Sequence, residues 1–285
     1  MGRVIGIDIG GSTTKIVGFD NKKIFSPMIV KANDPVSSVY GAFGKFLSFN
    51  KLKLDNIERV MITGVGSSFI TEKIYGISTC RVDEFLAIGM GGLFLSGLEK
   101  AIVISMGTGT ALVTANGERV KHIGGTGVGG GTLLGLSNLM LNVRSFDDLI
   151  ETARSGNLAN IDLTIGDISV DKKVGNLPSE TTASNFGKIS DLATKADIAI
   201  GIINLVFQTI GMISIFATRI DNIKDAVLTG NLTNVPQTRE IFDRLGDIFG
   251  ANFHIPDYAE YATAAGAAII CAKAIPFTEV DSTDI

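Results

Sequence analysis

Short apolar segments separated by glycine-rich turns open the chain, and segments with helical periodicity follow them. The apolar pattern predicts three consecutive strands, a helix, a fourth strand and a second helix, at 3–9, 14–20, 23–30, 35–49, 59–63 and from Glu84 onward. Strands and helices in this order form a mixed sheet that is covered by helices. The first part of the chain is therefore predicted to be an α/β unit.

The same pattern starts again after residue 100. A strand at 101–105 leads into a second glycine-rich turn, a strand from 226 ends near Gly230, and helices are predicted at 238–249 and 263–273. In this repetition Asp8 corresponds to Ser105, which indicates duplicated halves that face each other across a cleft. We expect an N-terminal lobe over residues 1–97 and a C-terminal lobe over residues 98–285.

Two turns of the same design carry the clearest chemical signal. Residues 6–15 and 103–110 each join two apolar segments through glycines, as in a β-hairpin whose turn needs unusual φ angles and close backbone approach. Exposed backbone N–H groups bind phosphate oxygens, and hydroxyls add donors; the hydroxyls here are Ser12, Thr13, Thr14, Thr108 and Thr110. Neither turn matches the Walker A or Rossmann pattern. The pair predicts a clamp for nucleotide phosphates, made in duplicate.

A third glycine-rich tract, residues 120–136, opens a predicted helix. Free N–H groups at a helix start can hold an anion, and the helix dipole favours it. Three consecutive glycines before the apolar helix favour close approach of the backbone to a ligand over a merely flexible loop.

Composition excludes several classes of function. The chain has 285 residues with 45% hydrophobic content and a net charge of −4, and it has no cluster of lysines and arginines, so a nucleic-acid surface is not expected. The N-terminus lacks the pattern of a secretory signal, and we expect a cytoplasmic protein. Cys80 and Cys271 are far apart in sequence and lack the spacing of a disulfide framework or a metal site, so both are expected to be small core residues.

Two segments of the second half have opposite character. Residues 198–218 carry no charge over 21 residues, a length that could span a membrane. Asn204, Gln208 and Gly211 fall on one helical face, which favours a buried helix between the lobes or at a dimer seam, with no contact to a membrane. The polar region 157–187 is predicted to be a surface excursion in which Asp162 and Asp167 are exposed.

Taken together, the first turn, the second turn and the late strand ending at Gly230 resemble the superfamily of sugar kinases, heat-shock proteins and actin. Within it the chain resembles the eukaryotic-like (type II) pantothenate kinase family from Ile5 to about residue 274. The stretches that carry this resemblance are 8–15, 82–85, 106–110, 124–136 and, more weakly, 183–187. It implies a duplicated, two-lobed actin-like ATPase fold, related to ribonuclease H, with a nucleotide cleft between the lobes. It also implies a homodimer.

The resemblance implies ATP and Mg²⁺ as ligands and assigns residues to them. Asp8 would organise Mg²⁺, and Lys15 would supply positive charge, although Lys15 could equally be a strand lysine that covers the sheet edge. Phe146 stands where the family has a tyrosine near the adenosine. The full set implied to bind ATP is Asp8, Ile9, Gly10, Gly11, Ser12, Thr13, Thr14, Lys15, Thr108, Gly130, Gly131, Thr132, Leu133, Leu134, Phe146 and Asn231.

Glu84 resembles the catalytic carboxylate of the family. A carboxylate at the start of a helix beside a cleft can accept the proton of an attacking alcohol, whereas the alternative is a first-turn glutamate stabilised by the helix dipole. His122, Gly124 and Gly125 would bind the acceptor. His122 stands where the family usually has arginine, and histidine lacks the bidentate fork and is only partly charged at neutral pH. Either Lys121 or another basic residue compensates, or the acceptor differs, or His122 is a surface residue without a ligand.

The sequence therefore predicts an ATP-dependent kinase that phosphorylates the primary hydroxyl of pantothenate at the entry to coenzyme A biosynthesis. His122 motivates a first alternative, a kinase for an amino sugar or another hydroxylated metabolite. The first glycine turn would also suit a nucleotide-driven activator of radical dehydratases or a nucleotide sensor without catalysis. Such activators ligate an iron–sulfur cluster through cysteines at a dimer interface, a placement that Cys80 and Cys271 do not match.

Overall fold

The computed structural model describes residues 2–31, 34–170, 174–175, 177–273 and 275–280. The strands of this part of the chain are β1 (Arg3–Ile9), β2 (Thr14–Asp20), β3 (Lys23–Val30), β4 (Ile57–Thr63), β5 (Thr79–Arg81), β6 (Lys100–Met106), β7 (Thr110–Asn116), β8 (Arg119–Thr126), β9 (Leu163–Thr164), β10 (Thr182–Ser184), β11 (Asp225–Thr229), β12 (Asn252–His254) and β13 (Thr278–Glu279). The α-helices are α1 (Pro35–Asn50), α2 (Glu84–Ser96), α3 (Gly130–Leu141), α4 (Phe146–Ala153), α5 (Ile165–Ile168), α6 (Lys195–Ile220), α7 (Gln237–Phe249) and α8 (Ala262–Ala272).

The first sheet has the strand order β13-β5-β4-β1-β2-β3, with β1 and β4 parallel and β1, β2 and β3 antiparallel. Its central strands are apolar because both faces are buried. On one face Ile7 and Ile16 pack in a core with Phe43 and Phe46 of α1. On the other face α8 lies against β1, and a Cβ on Gly6 would come within 2.1 Å of the Ala264 carbonyl oxygen. The glycine thus permits the close approach of helix and sheet.

The second sheet has the order β12-β11-β6-β7-β8, so β8 forms an edge. One face packs against α2, and the other is covered by α3, α4, α6 and α7 around a large apolar core. The helix α6 is long and apolar enough to cross a membrane, yet 61% of its apolar window is buried within this lobe. It is therefore a buried helix, as its polar and glycine positions predicted, but it packs inside the second lobe and is not the helix between the lobes.

The central layer between the sheets consists of α2 and α8. A Cβ on Gly91 would lie 1.8 Å from the Ala262 carbonyl oxygen, and one on Gly266 would lie 1.9 Å from that of Ala87. The two helices can pack at this distance only because these positions lack side chains. This packing fixes the start of α2, where Glu84 lies, between the two sheets.

The structure confirms the α/β fold with two related sheets. Asp8 pairs with Thr63 on the parallel strand β4, and Ser105 pairs with Thr229 on the parallel strand β11. Each threonine is followed by a glycine with positive φ, +87° at Gly64 and +89° at Gly230, that begins a short 3₁₀ helix. The repeat is thus more complete than the glycine turns alone indicated.

Two expectations need correction. Asp162, predicted to be exposed, is 1% exposed, because the Phe186 N–H and the Asn204 side-chain amide donate to its carboxylate. Asp167 is exposed, as predicted. The range 98–285, predicted to be one lobe, also contains α8 and β13, and these pack on or pair with the first sheet. The division at residue 97 itself stays a prediction.

Candidate nucleotide and acceptor site

The two glycine turns face each other across a cleft. The cleft holds a cavity of about 330 Å³ that is lined by residues from both sheets, α2 and α8. The Ser12 and Thr108 hydroxyl oxygens lie 3.3 Å apart, one from each turn, and the Asn231 side-chain amide donates to the Thr13 hydroxyl at 3.4 Å. The turns are therefore close enough to hold one ligand between them.

Both turns contain backbone amides that donate to no backbone carbonyl among the described residues. The turns are closed by a hydrogen bond from the Gly10 N–H to the Thr13 carbonyl and by one from the Gly107 N–H to the Gly109 carbonyl. Within the part of the chain that the structure describes, no backbone carbonyl accepts the N–H groups of Gly11, Ser12 or Thr108. Such amides, together with hydroxyls, are suited to phosphate oxygens.

Asp8 and Lys15 form a buried pair at the base of the first turn. They are direct cross-strand partners on β1 and β2, and the Lys15 ammonium donates to Asp8 Oδ2 at 3.5 Å. Their side chains are 9% and 8% exposed, and both line the cavity. Lys15 is therefore not a lysine that covers the sheet edge. A buried carboxylate needs a compensating charge, which Lys15 supplies at one oxygen.

Asp8 Oδ1 faces Gly64. A Cβ at residue 64 would lie 2.6 Å from this oxygen and 2.6 Å from the Ile9 carbonyl oxygen, and the φ of +87° also disfavours any side chain there. Gly64 thus leaves room for the Asp8 carboxylate beside the turn.

Glu84 is the first residue of α2 and reaches the same cavity. Asp83 caps the helix, because its carboxylate accepts the Leu86 N–H at 2.8 Å. Burial raises the pKa of Glu84, the nearby charges of Asp8 and Asp83 raise it further, and Lys15 opposes them. A carboxylate with a raised pKa in a cleft is a stronger proton acceptor than one on the surface.

The oxygen ligands of the cavity fit a magnesium ion. Mg²⁺ in phosphoryl-transfer sites keeps several waters and binds one or two carboxylates together with phosphate oxygens. The buried Asp8 carboxylate uses one oxygen for Lys15 and has the other beside Gly64, at the base of the first turn, while the Glu84 carboxylate lines the cavity from the start of α2. Asp8 is therefore the residue that would hold the ion.

The third glycine tract packs against the second turn. The Gly130 N–H donates to the Gly107 carbonyl and the Gly131 N–H to the Thr108 carbonyl, both at 2.9 Å. A Cβ on Gly129 would come within 2.6 Å of the Thr108 carbonyl oxygen. These amides are thus not free for an anion, contrary to the expectation from sequence. The glycines here permit the contact between α3 and the phosphate turn.

A second cavity of about 370 Å³ lies between the edge strand β8 and the end of α6. His122, Gly124 and Gly125 line it together with Lys121 and an apolar wall of Ile213, Phe216, Ala217 and Ile220. The His122 ring stacks on Phe85 with ring centroids 3.9 Å apart and an angle of 16° between the planes. Because Phe85 follows Glu84 directly, this stack lies beside the first cavity.

Sequence comparison identifies relatives of this chain. The profile of the Fumble family matches residues 97–243. A type II pantothenate kinase from Bacillus cereus is 31% identical over 258 residues, which cover 85% of this chain and 88% of the relative. One from Staphylococcus saprophyticus is 29% identical and covers 80% of this chain and 84% of the relative. The chain belongs to the type II pantothenate kinase family.

Solved structures agree on the fold of this type II pantothenate kinase family member. An activator of 2-hydroxyisocaproyl-CoA dehydratase from Clostridium difficile with bound ADPNP superposes with a TM-score of 0.69 at 15% identity, over 96% of this chain and 95% of that one. A ROK hexokinase from Thermus thermophilus gives 0.52 at 14% identity, over 94% and 97%. At these identities the likeness concerns the actin-like ATPase fold alone.

The cleft of this family member brings together much of the predicted nucleotide set. Of that set, Asp8, Gly10, Gly11, Ser12, Thr13, Lys15, Thr108 and Asn231 line the first cavity, and Glu84, predicted as the catalytic base, lines it too. Ile9, Thr14 and Leu133 are buried, Gly130, Gly131, Thr132 and Leu134 belong to the start of α3, and Phe146 packs against the second core from the start of α4. Their predicted contacts with ATP stay predictions.

Several residues of the cavity were not singled out from sequence as site residues. They include Ser105, Val65, Ile88, Thr126 and Thr263. Ser105 occupies the position of Asp8 in the duplicated pattern, so the repeat could have identified it. Thr263 follows the first residue of α8, far along the chain, and only the packing of α8 between the sheets brings it to the cleft.

Proposed function

We propose that the protein transfers the γ-phosphoryl group of ATP to the primary hydroxyl of pantothenate, giving 4′-phosphopantothenate in the first step of coenzyme A biosynthesis. The observation that carries the proposal is the opposition of two phosphate turns at a cavity that also contains a carboxylate with a raised pKa. The identity of the acceptor is inferred from relatives that are named type II pantothenate kinase and that align with most of the chain.

The proposed clamp holds the triphosphate between the lobes. Phosphoryl transfer requires mainly alignment of donor and acceptor and neutralisation of the charge on the γ-phosphoryl group. The amides of Gly11, Ser12 and Thr108 donate to phosphate oxygens, and the Lys15 ammonium adds positive charge. Asp8 would hold Mg²⁺, and the bound ion would neutralise phosphate charge.

Glu84 is proposed as the general base. Its carboxylate accepts the proton of the acceptor hydroxyl while that oxygen attacks the γ-phosphorus and the bond from phosphorus to the β,γ-bridging oxygen breaks, which leaves ADP. The raised pKa suits this role because it makes the ionised carboxylate a stronger acceptor for the proton of an alcohol. Asn231 and Thr13 close the nucleotide side of the cleft.

A coupled assay of ADP release tests the proposal, with pantothenate as the only variable. We expect ADP release that depends on pantothenate, and a phosphate group on the primary hydroxyl of pantothenate. ATP binding without release in the presence of pantothenate would contradict it. An acceptor panel in the same assay tests the alternative of another hydroxylated metabolite, such as an amino sugar, which His122 continues to favour.

The likeness to dehydratase activators motivates a second candidate, a nucleotide-driven activator. A cluster shared between subunits needs thiols at the surface. Cys80 is fully buried, and Cys271 packs against the same core. These thiols do not fit such a cluster, so the kinase is the better supported function. Iron that co-purifies with the protein and binds at these cysteines would favour the activator.

We also propose a homodimer in the cytoplasm. Phe216 and Ile220 at the end of α6 are 52% and 82% exposed, and Leu139 of α3 is 82% exposed. Contiguous exposed apolar side chains mark association surfaces, and Phe216 and Ile220 lie one helical turn apart on α6. Light scattering of the purified protein tests this, with a mass of two chains expected and a single-chain mass at all concentrations as the contrary result.

A further inference from the structure

The second cavity contains a cation that the proposed chemistry has not used. Lys121 lines this cavity beside His122, Gly124 and Gly125. Within the described part of the chain, no carboxylate lies within ion-pair distance of the Lys121 ammonium. Asp221 lines the same cavity, but its carboxylate accepts the hydroxyl of Thr114.

The path of β8 explains how neighbouring residues reach one cavity. Successive side chains of a strand point to opposite faces. The register of the pairing between β7 and β8 shifts at Ile123, and β8 is an edge strand. The second cavity therefore extends around this edge, and both Lys121 and His122 line it.

The second cavity adjoins the first along the same pair of strands. Thr110 and Thr126, which are cross-strand partners, line the first cavity, whereas the partners Leu112 and Gly124 line the second. With a rise of about 3.3 Å per residue, Lys121 lies roughly 10 Å along the strand from Gly124. A ligand that extends from the first cavity along these strands would enter the second cavity, which Lys121 lines.

His122 is poorly suited to bind a carboxylate at that far end. Its ring lies flat on Phe85, which fixes the plane in which the ring nitrogens can donate. An imidazole has no permanent charge, whereas lysine has a compact permanent charge on a flexible stem. The wall formed by Ile213, Phe216 and Ile220 offers no other cation to the ligand.

We propose that Lys121 is the residue that selects an acceptor with a terminal carboxylate, and that His122 with Phe85 forms a flat wall beside the body of the acceptor. This inference rests on the proposed pantothenate kinase activity and specifies its acceptor site. It assigns recognition of the carboxylate to the residue that precedes the position where the family usually has arginine.

Steady-state kinetics with two acceptors test the inference. One acceptor is pantothenate, and the other is its analogue with a primary alcohol in place of the carboxylate. For Lys121→Met we expect KM for pantothenate to rise roughly tenfold or more, the loss typical of a charged hydrogen bond, with kcat little changed. KM for the alcohol analogue should not change, because no charge is lost against it.

Two further variants serve as controls. Lys121→Arg keeps the charge and should retain most of the preference for pantothenate. Lys100→Met removes the same charge from a neighbouring cavity that Lys121 also lines, and it should leave both KM values unchanged. An equal effect of Lys121→Met on both acceptors, or no effect on pantothenate, would overturn the inference alone. Absence of pantothenate turnover in the unaltered protein would overturn the proposed function and this inference together.

Discussion

The hydroxyl oxygens of Ser12 and Thr108 lie 3.3 Å apart, although 96 residues separate them in sequence. Each belongs to a turn with amides that donate to no backbone carbonyl within the described part of the chain. A phosphate group between the turns would contact both hydroxyls. Thr108→Val removes one hydroxyl and nearly preserves the shape of the side chain, and we expect KM for ATP to rise about tenfold or more.

The half-buried Thr152, which donates to the Asp148 carbonyl within α4, provides the control. Thr152→Val removes a hydroxyl outside the cleft and should leave KM for ATP unchanged. Equal KM values for the two variants would show that Thr108 does not bind the nucleotide.

Replacement of Glu84 tests the proposed base. Glu84→Gln keeps the size of the side chain but removes the ability to accept a proton, so turnover should be abolished while ATP binding, followed by calorimetry, is largely retained. Glu151→Gln on the exposed face of α4 is the matched control and should remain active. Full activity of Glu84→Gln would remove this residue from the mechanism.

The pH dependence of the reaction should report the surroundings of Glu84. The base acts when ionised, so kcat/KM falls as pH decreases through its pKa, and a raised pKa moves this fall toward neutral pH. Asp83→Asn removes one of the charges that raise the pKa of Glu84, while asparagine still caps α2. The acidic limb of kcat/KM should therefore move to lower pH, and a limb that stays in place would exclude Glu84 as the titrating group.

Two glycines with positive φ separate backbone strain from steric overlap. Gly64→Ala places a Cβ 2.6 Å from Asp8 Oδ1, whereas a Cβ on Gly97, which has a φ of +72°, meets no atom within 4 Å. Both changes should cost about 1–2 kcal/mol from the left-handed conformation. Gly64→Ala should lose further stability and weaken ATP binding, as measured by denaturant unfolding and calorimetry. Equal losses in the two variants would show that Asp8 adapts without cost.

The buried cap of α6 should contribute to stability in a manner that depends on pH. Hydrogen bonds from the Thr194 and Asn157 N–H groups lower the pKa of Asp197 to about 2, from an ordinary value of 3.8. This contribution is present above pH 3.8 and is lost as pH falls toward 2. Asp197→Ala should cost about 2–3 kcal/mol at neutral pH, because it leaves buried N–H groups unpaired.

Unfolding by denaturant at pH 7 and near pH 2 measures this difference. The exposed Asp191, a few residues before α6, provides the control, and Asp191→Ala should change stability little at either pH. A constant loss for Asp197→Ala across this range would show that the ionised carboxylate is not what stabilises the helix start.

Much of the site could be predicted because local rules govern it. Glycines between two apolar strands require a turn with exposed amides, so the first turn with Asp8, Ser12 and Lys15 could be located directly. The tract at 129–131 shows where this reasoning fails. Glycine is needed equally for close contact with a ligand and for close contact with another part of the backbone. Here carbonyl groups of the second turn accept hydrogen bonds from the Gly130 and Gly131 amides. The sequence pattern cannot distinguish these two neighbours.

The chain's order of apolar segments and turns determined the two α/β halves, their duplication and the chemistry of the phosphate turns, because hydrophobic periodicity and glycine conformations act over a few residues. Only the tertiary structure decided which residues meet across the cleft. The burial that raises the pKa of Glu84, the approach of Thr263 on α8 and the shared cavity of Lys121 and His122 all depend on how sheets and helices pack. Packing of this kind brings together residues that are distant in sequence, and local sequence patterns do not predict it.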